Sequence, residues 1–171
     1  MIISDYSKGV ISQELIAGIK KIISDEKIYI CLDPKQSDFS IYEGAYVITP
    51  NHHEAQRAAG MEINDENDLR QAGETLLKKY NFHALLITRG EEGMSLFERG
   101  QKIAHTNFSA QAKEIYDVTG AGDTVIGVLA LSLAARANLQ EATCLANQAA
   151  GIVVGKVGTA TVSQEELIRV L

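Results

Sequence analysis

The sequence predicts an α/β fold built on a mainly parallel sheet. Short apolar runs alternate along the chain with longer segments whose apolar residues recur at the spacing of a helix. The runs are apolar at consecutive positions, which is typical of strands buried on both faces. Most of them end in a polar motif, and ligands of such sheets gather at the carboxyl ends of the strands. Together these observations favour a layered sheet with a ligand site at one edge.

The first half of the chain contains apolar runs and helical segments in alternation. Ile2-Ile3 opens it as a short strand, and a helix follows from about Ser12 with an apolar stripe that includes Ile16 and Ile19. The next predicted elements are two buried strands and a short helix that follows an asparagine cap and ends before a glycine, at 28–32, 46–49 and 52–59.

The second half continues the same alternation. A helix beginning at Asn64 or Asp65 precedes a buried strand, and a glycine turn joins two further runs into a hairpin. Two long helices follow that are apolar on nearly all sides, so we expect other elements to flank them on several sides. Ser163 and Glu166 form a capping box for a final short helix. The predicted bounds are 84–88 for the strand, 94–97 and 102–105 for the hairpin, and 122–137 and 140–157 for the long helices.

The composition indicates one ordinary folded domain. At 171 residues with 46% hydrophobic content, the chain can bury a single core, and no repeat or linker divides it. The net charge is −6 and no basic run is interleaved with aromatic residues, which argues against nucleic acid as a partner. An acidic protein can still bind phosphate through a local nest of backbone N–H groups.

We expect a soluble, cytoplasmic protein without a membrane partner. The N-terminus lacks the basic segment and the apolar stretch of a signal peptide, and the longest apolar run, 125–135, is too short to span a bilayer. Cys31 and Cys144 lie in apolar segments without metal or redox spacing. We interpret both as small buried residues in a reducing compartment.

The segment 117–124, Asp-Val-Thr-Gly-Ala-Gly-Asp-Thr, is the most informative part of the sequence. It places a Gly-Ala-Gly backbone at the first turn of a predicted helix, where unpaired N–H groups and the helix dipole favour an anion such as phosphate. Asp123 stands beside this turn, where its carboxylate could accept a proton from a substrate hydroxyl. A cradle for negative charge and a base are the two parts that phosphoryl transfer needs.

A structural interpretation of this segment stands beside the chemical one. An aspartate at a helix start is usually a cap, and Gly-Ala-Gly can be a simple turn. Two better-known phosphate loops do not fit. Position 125 is valine, so Gly120 and Gly122 lack the third glycine of the dinucleotide fingerprint. Val157 follows Gly155-Lys156, where a Walker A loop has serine or threonine.

A smaller motif follows the strand at 46–49. Asn51 and Glu54 lie about one helical turn apart, so both can face one site, and a carboxylate there could hold magnesium through water. The alternative is that Asn51 only caps the helix while Glu54 complements its dipole. Zinc is excluded, because the adjacent His52 and His53 diverge on a helix and no further ligands have the required spacing.

Two other positions are candidates for nucleotide contacts. Thr88-Arg89-Gly90 and Gly93 form a strand end that runs into a glycine turn, which could let backbone approach a nucleotide or could be only a turn. Asn147 lies among alanines on an otherwise apolar helix. Its amide needs a partner, either backbone or a ligand such as a purine edge.

Taken together, these motifs resemble the signature of the ribokinase-like, or PfkB, carbohydrate kinases. The resemblance runs essentially end to end and lies in 117–124, in Thr49-Pro50-Asn51-x-x-Glu54, in 88–93 and in 146–151. Within that family, the strings at 4–9, 33–35 and 151–161 are most similar to the heptose-7-phosphate kinases of Gram-negative bacteria, which are joined to an adenylyltransferase.

The resemblance implies a three-layer α/β/α fold and an enzyme that transfers phosphate from ATP, with magnesium, to a sugar phosphate. It would act on the anomeric hydroxyl of heptose 7-phosphate, on the route to ADP-heptose and the lipopolysaccharide core. The residues carried over are Asp123 as the general base; Gly120, Ala121 and Gly122 as the anion hole; Asn51, Glu54, Thr88, Gly90, Gly93 and Asn147 along the nucleotide and its magnesium ion, with Glu54 serving the metal; and Asp117 and Thr119 at the positions that bind a monovalent cation in some relatives.

The chain begins where the second half of the family begins. The family's amino-terminal part, with its sugar-binding residues and its lid, has no counterpart here, and neither does the adenylyltransferase. We therefore expect residues 1–171 to be a single partial domain, the nucleotide-binding and catalytic portion of a kinase that forms homodimers, either excised or truncated and weak as a catalyst alone. The alternatives are another PfkB-type sugar or nucleoside kinase and a non-catalytic nucleotide-binding module.

Overall fold

Six strands of the described chain form one sheet, in which the spatial order follows the chain order. A computed structural model of the protein describes residues 1–23, 28–112 and 116–171. The first four strands pair in parallel, and the last two add an antiparallel hairpin at one edge. The strands are β1 (Ile2–Ser4), β2 (Cys31–Asp33), β3 (Val47–Ile48), β4 (Ala84–Thr88), β5 (Met94–Glu98) and β6 (Ala104–Phe108).

Helices cover both faces of this sheet. One face carries the first three helices and the other carries the fourth and fifth, while the last helix packs on the fifth. The result is the three-layer α/β/α architecture that the family resemblance implies. The helices are α1 (Gln13–Ile22), α2 (His52–Ala59), α3 (Glu66–Tyr80), α4 (Ala121–Ala134), α5 (Leu139–Val154) and α6 (Gln164–Ile168).

The central strands feed two separate apolar cores. In β4, Leu85 and Ile87 pack with α1 to α3, whereas Ala84 and Leu86 pack with α4 and α5. Side chains alternate between the faces of a strand, so a run that is apolar throughout serves both layers. β4 accordingly lies in the middle of the sheet, between β3 and β5. Because β1 to β4 are parallel, their carboxyl ends lie at a common edge.

Most predicted elements are observed, and the differences lie at their ends. β4 has the predicted bounds. β2 begins three residues later than predicted, because the apolar run reaches past the sheet: Ile28 is 42% exposed and Tyr29 is 43% exposed. The Tyr29 ring stacks on Tyr46 beyond the strand ends, with ring centroids 4.0 Å apart. A run of consecutive apolar residues does not show where a strand stops pairing with its neighbouring strands.

The hairpin and the long helices also shift at their ends. β6 is Ala104–Phe108 rather than 102–105, since Glu98 pairs with Ala104 and the intervening turn is longer than predicted. α4 and α5 each end three residues before the predicted bound. The prediction that α4 would be flanked on several sides holds for its inner face only, because Leu131 on the outer face is 71% exposed.

Helix caps follow the sequence signals closely. Asn51 caps α2, Gly60 ends it in the left-handed conformation, and Asp65 caps α3. The expected capping box of Ser163 with Glu166 is present in α6. Among the described helices, none is both long and apolar enough to cross a bilayer.

The two cysteines differ from the prediction that both are buried. Cys31 is buried in β2, but Cys144 lies on an exposed position of α5. The physical reason is that α5 packs through its alanine-rich face against α4 and the sheet, which leaves the opposite face to solvent. An apolar neighbourhood in sequence therefore did not decide the burial of Cys144.

Two helical glycines give a matched test of this packing. A Cβ atom at Gly73 in α3 would lie 2.5 Å from the Phe97 ring, whereas nothing lies within 4 Å of a Cβ atom at Gly127 in α4. We expect Gly73→Ala to lower the free energy of unfolding by about 1–3 kcal/mol through overpacking. Gly127→Ala should raise it by about 0.5–1 kcal/mol through helix propensity. Urea unfolding measures both, and equal effects of the two substitutions would contradict the assigned packing.

Candidate active site

The carboxyl ends of β1 to β4 and the start of α4 surround one cavity of about 720 Å³. Because the carboxyl ends of parallel strands lie at the same edge, a polar residue after each strand reaches the same space. Residues that line this first cavity include Asp5 and Tyr6 after β1; Asp33 and Lys35 after β2; Thr49, Asn51 and Glu54 after β3; Thr88, Arg89 and Gly90 after β4; and Gly120, Gly122 and Asp123 at α4.

The start of α4 presents free backbone donors to this cavity. Gly120 has a φ of +80°, which turns the chain sharply into the helix. The Ala121 N–H donates to the Val118 carbonyl at 3.2 Å, so this amide is already used. In the described part of the chain, the N–H groups of Gly122 and Asp123 have no internal acceptor and lie in the first helical turn. Two amides and the helix dipole thus favour an anion here.

Asp123 places a carboxylate directly beside these amides. Its side chain is exposed and lines the first cavity, as a general base requires. The Tyr6 hydroxyl donates to Asp123 Oδ1 at 3.4 Å across the cavity mouth. Structural capping is not its role, since no side chain caps the start of α4.

The loop that carries Tyr6 is anchored by a buried carboxylate. Asp5 is 2% exposed and accepts hydrogen bonds from the Tyr42 hydroxyl at 2.5 Å, from Gln36 Nε2 at 2.9 Å and from the Ser7 N–H at 2.7 Å. Burial alone would raise the pKa of Asp5, but these donors outweigh it and the net pKa is lowered. No sequence pattern indicates that Asp5, Gln36 and Tyr42 meet.

Asn51 and Glu54 form the helix cap that the sequence allows as the alternative to a magnesium site. The Asn51 side chain accepts from the Glu54 N–H, and Glu54 Oε2 accepts from the Asn51 N–H, both at 2.9 Å. Glu54 is 3% exposed, and its Oε1 pairs with Lys35 Nζ at 2.9 Å. The hydrogen bond to Glu54 raises the pKa of Lys35. Both carboxylate oxygens are thus already engaged, and a cation would contact Glu54 best through water.

Asp33 ends β2 and lines the first cavity, although no sequence motif assigns it a role. Burial, followed by the negative charges of Glu54 and Asp123, raises the pKa of Asp33 to about 6 although Lys35 opposes the shift. The Ser4 hydroxyl donates to Asp33 Oδ2 at 3.4 Å. A carboxylate held partly protonated in a cleft is a candidate for function. The available signal was its position directly before Pro34 at a strand end.

The carboxylates do not form a preformed metal cage. Among the described residues, no group of three or more His, Cys, Asp or Glu side chains is arranged to hold a metal ion. Asp33, Glu54 and Asp123 do share one cavity, and the positive charge of Lys35 reduces the net negative charge of this group. Magnesium usually takes few protein ligands and keeps several waters, so this open arrangement fits magnesium bound together with phosphates.

A second cavity of about 470 Å³ adjoins the first and is mostly apolar. Thr88, Gly90, Val118 and Gly122 line both cavities. The other residues that line the second cavity include Gly93, Met94, Ala121, Val125, Asn147, Ala150, Gly151 and Val154. Its size and lining suit a flat aromatic ring such as a nucleobase.

Asn147 supports a wall of the second cavity. It is 6% exposed, and its Nδ2 donates to the Ser109 carbonyl at 2.8 Å. The sequence left two possible partners for the Asn147 amide, backbone or a ligand. In the structure the partner is backbone. Gly151 lets the same segment approach α5, since a Cβ atom there would lie 3.0 Å from Gln111. Asn147 therefore holds the segment 109–112 in place beside the cavity.

Asp117 and Thr119 lie outside both cavities. The Thr119 N–H donates to Asp117 Oδ1 at 2.9 Å, forming a small turn before Gly120. The pKa of Asp117 is lowered by hydrogen bonds from the Thr119 side chain, the Thr119 backbone and the Gly158 backbone. These two residues shape the approach to the Gly120 turn rather than the cavity surface.

Comparisons with known proteins agree with this arrangement. A family model described as "pfkB family carbohydrate kinase" matches residues 3–166. The chain is 49% identical over 168 residues to a protein of Geobacter metallireducens named bifunctional protein HldE, covering 98% of this chain and 34% of the relative. It is 48% identical over 171 residues to the Aeromonas salmonicida protein of the same name, covering 100% and 35%. The chain thus spans about a third of the length of these relatives.

Solved structures show the same fold. Escherichia coli phosphofructokinase-2 in complex with potassium is similar with a TM-score of 0.84 at 18% identity, covering 98% of this chain and 54% of that chain. Arabidopsis thaliana ribokinase complexed with ribose and ATP is similar with a TM-score of 0.81 at 21% identity, covering 92% and 52%. At these identities the likeness supports the ribokinase-like α/β fold alone.

The raised pKa of Asp33 predicts a pH-dependent cost to stability. The folded pKa of about 6 lies above the ordinary value of 3.8, so the stabilising protonated form is lost as pH rises through 6. We expect Asp33→Asn to stabilise the protein by about 1 kcal/mol more at pH 7.5 than at pH 4.5, after screening by solvent at the cavity mouth. Urea unfolding without magnesium measures this difference, with the exposed Glu62→Gln as control. A difference that stays flat with pH would refute the environment assigned to Asp33.

Proposed function

The chain belongs to the pfkB family of carbohydrate kinases, and on that basis we propose that it phosphorylates heptose 7-phosphate at the anomeric hydroxyl with ATP. One observation carries the proposal. Asp123 and the free amides of Gly122 and Asp123 face a strand-end cavity that adjoins an apolar cavity of nucleobase size. The relatives named bifunctional protein HldE support the choice of a heptose substrate.

In the proposed reaction, the Asp123 carboxylate accepts the proton of the sugar hydroxyl as the hydroxyl oxygen bonds to the γ-phosphorus of ATP. The bond from the γ-phosphorus to the bridging oxygen breaks, and ADP leaves. The amides of Gly122 and Asp123 donate to the phosphoryl oxygens, on which negative charge is spread in the transition state. The products are ADP and a heptose 1,7-bisphosphate.

The nucleotide would extend from the second cavity into the first. Its base would lie between α5 and the turn after β4, beside Asn147 and Gly93, and its phosphates would pass Thr88 and Gly90. Asn51 would keep α2 and Glu54 in place through the capping box. This assignment uses every nucleotide residue that the family resemblance implies.

Magnesium fits the residues of the first cavity. Glu54, with Asp33 beside it, would hold the ion through water, and bound magnesium would neutralise charge on the phosphates. Lys35 limits the negative charge of this pair through its 2.9 Å contact with Glu54. A monovalent cation near Asp117 and Thr119 is part of the proposal, since the structurally similar phosphofructokinase-2 has a potassium complex.

We also propose the wider setting of the reaction. Residues 1–171 would form the nucleotide-binding and catalytic portion of one kinase domain, which works in the cytoplasm where ATP is available. The bifunctional relatives suggest an adenylyltransferase as the second activity, fused or separate, and the kinase would act as a homodimer. A panel of ribose, fructose 6-phosphate, nucleosides and heptose 7-phosphate distinguishes the proposed substrate from those of other family members.

Asp123→Asn tests the general base. The substitution keeps the size of the side chain but removes its ability to accept the proton, so we expect turnover to fall by about 100-fold or more. Affinity for ATP with magnesium should change little, because the carboxylate faces the acceptor sugar rather than the nucleobase of ATP. A coupled kinase assay and calorimetry on the full-length protein measure the two quantities. Glu62→Gln, at an exposed position, serves as the control, and equal turnover of Asp123→Asn and wild type would refute the assignment.

Glu54→Gln tests the magnesium contact. The amide would keep the bulk of the side chain but lose the charge that faces the ion and Lys35. We expect the magnesium concentration at half-maximal activity to rise by about tenfold, since outer contacts to metals contribute on that scale. Activity at saturating magnesium should recover in part. An unchanged magnesium dependence together with a lowered thermal midpoint would show that Glu54 is only a cap.

A further inference from the structure

The turn that follows β4 connects the two cavities. Thr88 and Gly90 line both of them, and Gly93 lines the second. A nucleotide that occupies both cavities must pass along this turn. Whatever fixes the turn therefore also fixes the distance between the base and the phosphates.

Backbone contacts close the turn and hold its Gly93 end, while Gly90 has open space around it. The Arg89 N–H donates to the Gly93 carbonyl at 2.8 Å, and the Glu92 N–H donates to the Arg89 carbonyl at 3.2 Å. Gly93 has a φ of +86°, and a Cβ atom there would lie 2.0 Å from the Phe108 carbonyl oxygen. The turn is thus pressed against the end of β6, and its tilt depends on what holds it there.

The Arg89 side chain supplies that hold. It is 15% exposed, and its Nη1 donates to Ser95 Oγ on β5 at 3.2 Å. The same nitrogen lies 3.5 Å from Glu66 Oε2 in the first turn of α3, and Nη2 pairs with Glu92 inside the turn. One planar guanidinium thus joins the turn to a strand and a helix through donors fixed in one plane, a geometry that a lysine ammonium does not reproduce.

The partners of Arg89 are themselves connected. Ser95 is fully buried and donates to Asn107 Oδ1 at 2.6 Å, and Asn107 Nδ2 donates to Glu66 Oε1 at 2.5 Å. The contacts return from Glu66 to Arg89 and form a closed ring, which we call the Arg89 ring: Arg89, Ser95, Asn107 and Glu66. Its last three members line neither cavity.

Stability alone is a weak reason for the Arg89 ring. The Arg89 Nε–H is buried and, within the described residues, has no hydrogen-bond partner, which costs free energy. A largely buried guanidinium also loses hydration, and apolar residues of similar size often stabilise a fold as well or better. The bridging geometry, by contrast, is specific to arginine.

Resting on the nucleotide site proposed above, we propose that Arg89 is a positioning residue. Through the Arg89 ring it holds the turn 90–93 at the tilt that aligns the two cavities. It acts on the nucleotide through Gly90 and Gly93 and does not need to touch it. We therefore expect Asn107, which lines neither cavity, to influence nucleotide affinity in the same direction.

Calorimetric titration of the full-length protein with ATP and magnesium tests this inference. We expect Arg89→Ala to raise the dissociation constant by about tenfold or more, with Arg89→Lys in between because one of its contacts can be kept. Asn107→Ala should raise it by roughly threefold. Lys102→Ala, an exposed change in the turn of the same hairpin, should have no effect.

Two further measurements separate positioning from general destabilisation. Amide hydrogen exchange in Arg89→Ala should accelerate at 90–93 while β4 stays protected. In the kinase assay, the KM for ATP should rise by a larger factor than the one by which kcat falls. Exchange that accelerates evenly across the sheet would overturn the inference in favour of a purely structural role.

The remaining outcomes also decide the question. If the wild-type protein does not bind ATP with magnesium, the proposed function fails and this inference fails with it. If the wild type binds and all variants bind equally well, only the role of Arg89 is refuted. If Arg89→Ala weakens binding while Asn107→Ala does not, Arg89 contacts the nucleotide directly, and the positioning role is overturned.

Discussion

The left-handed backbone of Gly120 is the constraint on which the site depends. It turns the chain into α4 so abruptly that the next free amides lie at the cavity formed by the strand ends. The packing of α4 against β1 and β2 then fixes where those amides lie relative to Asp33 and Asp123. A residue with a Cβ atom would be strained at this φ, and the free amides and the Asp123 carboxylate would lose their common orientation.

The sequence predicted those features that neighbouring residues determine. β4 and the bounds of α2 agree with the structure because the apolar run, the Asn51 cap and the Gly60 stop are local signals. The convergence of polar strand ends followed from the rule for parallel sheets, which needs only the alternation of elements. By contrast, the start of β2 depends on where its parallel neighbours β1 and β3 begin, and no pattern within the run 28–32 contains that information.

Contacts between residues distant in the chain could not be predicted from the sequence. Arg89 and Glu66 are far apart in the chain and meet only because α3 packs beside the hairpin. The pKa of Asp33 depends on Glu54 and Asp123, which belong to other elements. Asn147 required a partner on physical grounds, but only the folded chain shows that the partner is the Ser109 carbonyl. Local sequence patterns thus predicted the candidate residues, whereas tertiary packing determines their partners and pKa values.

The adjoining cavities share the β4 turn and the start of α4, but each also has walls of its own. The apolar one lies between α5, the end of β6 and the β4 turn, while the polar one is enclosed by the loops after β1, β2 and β3. Under the proposed function, substitutions in the loop after β1, which lines the polar cavity only, can alter which acceptor molecule fits while the apolar cavity stays unchanged. Such modularity would let descendants of one ancestral scaffold diverge in acceptor preference while retaining a common energy source.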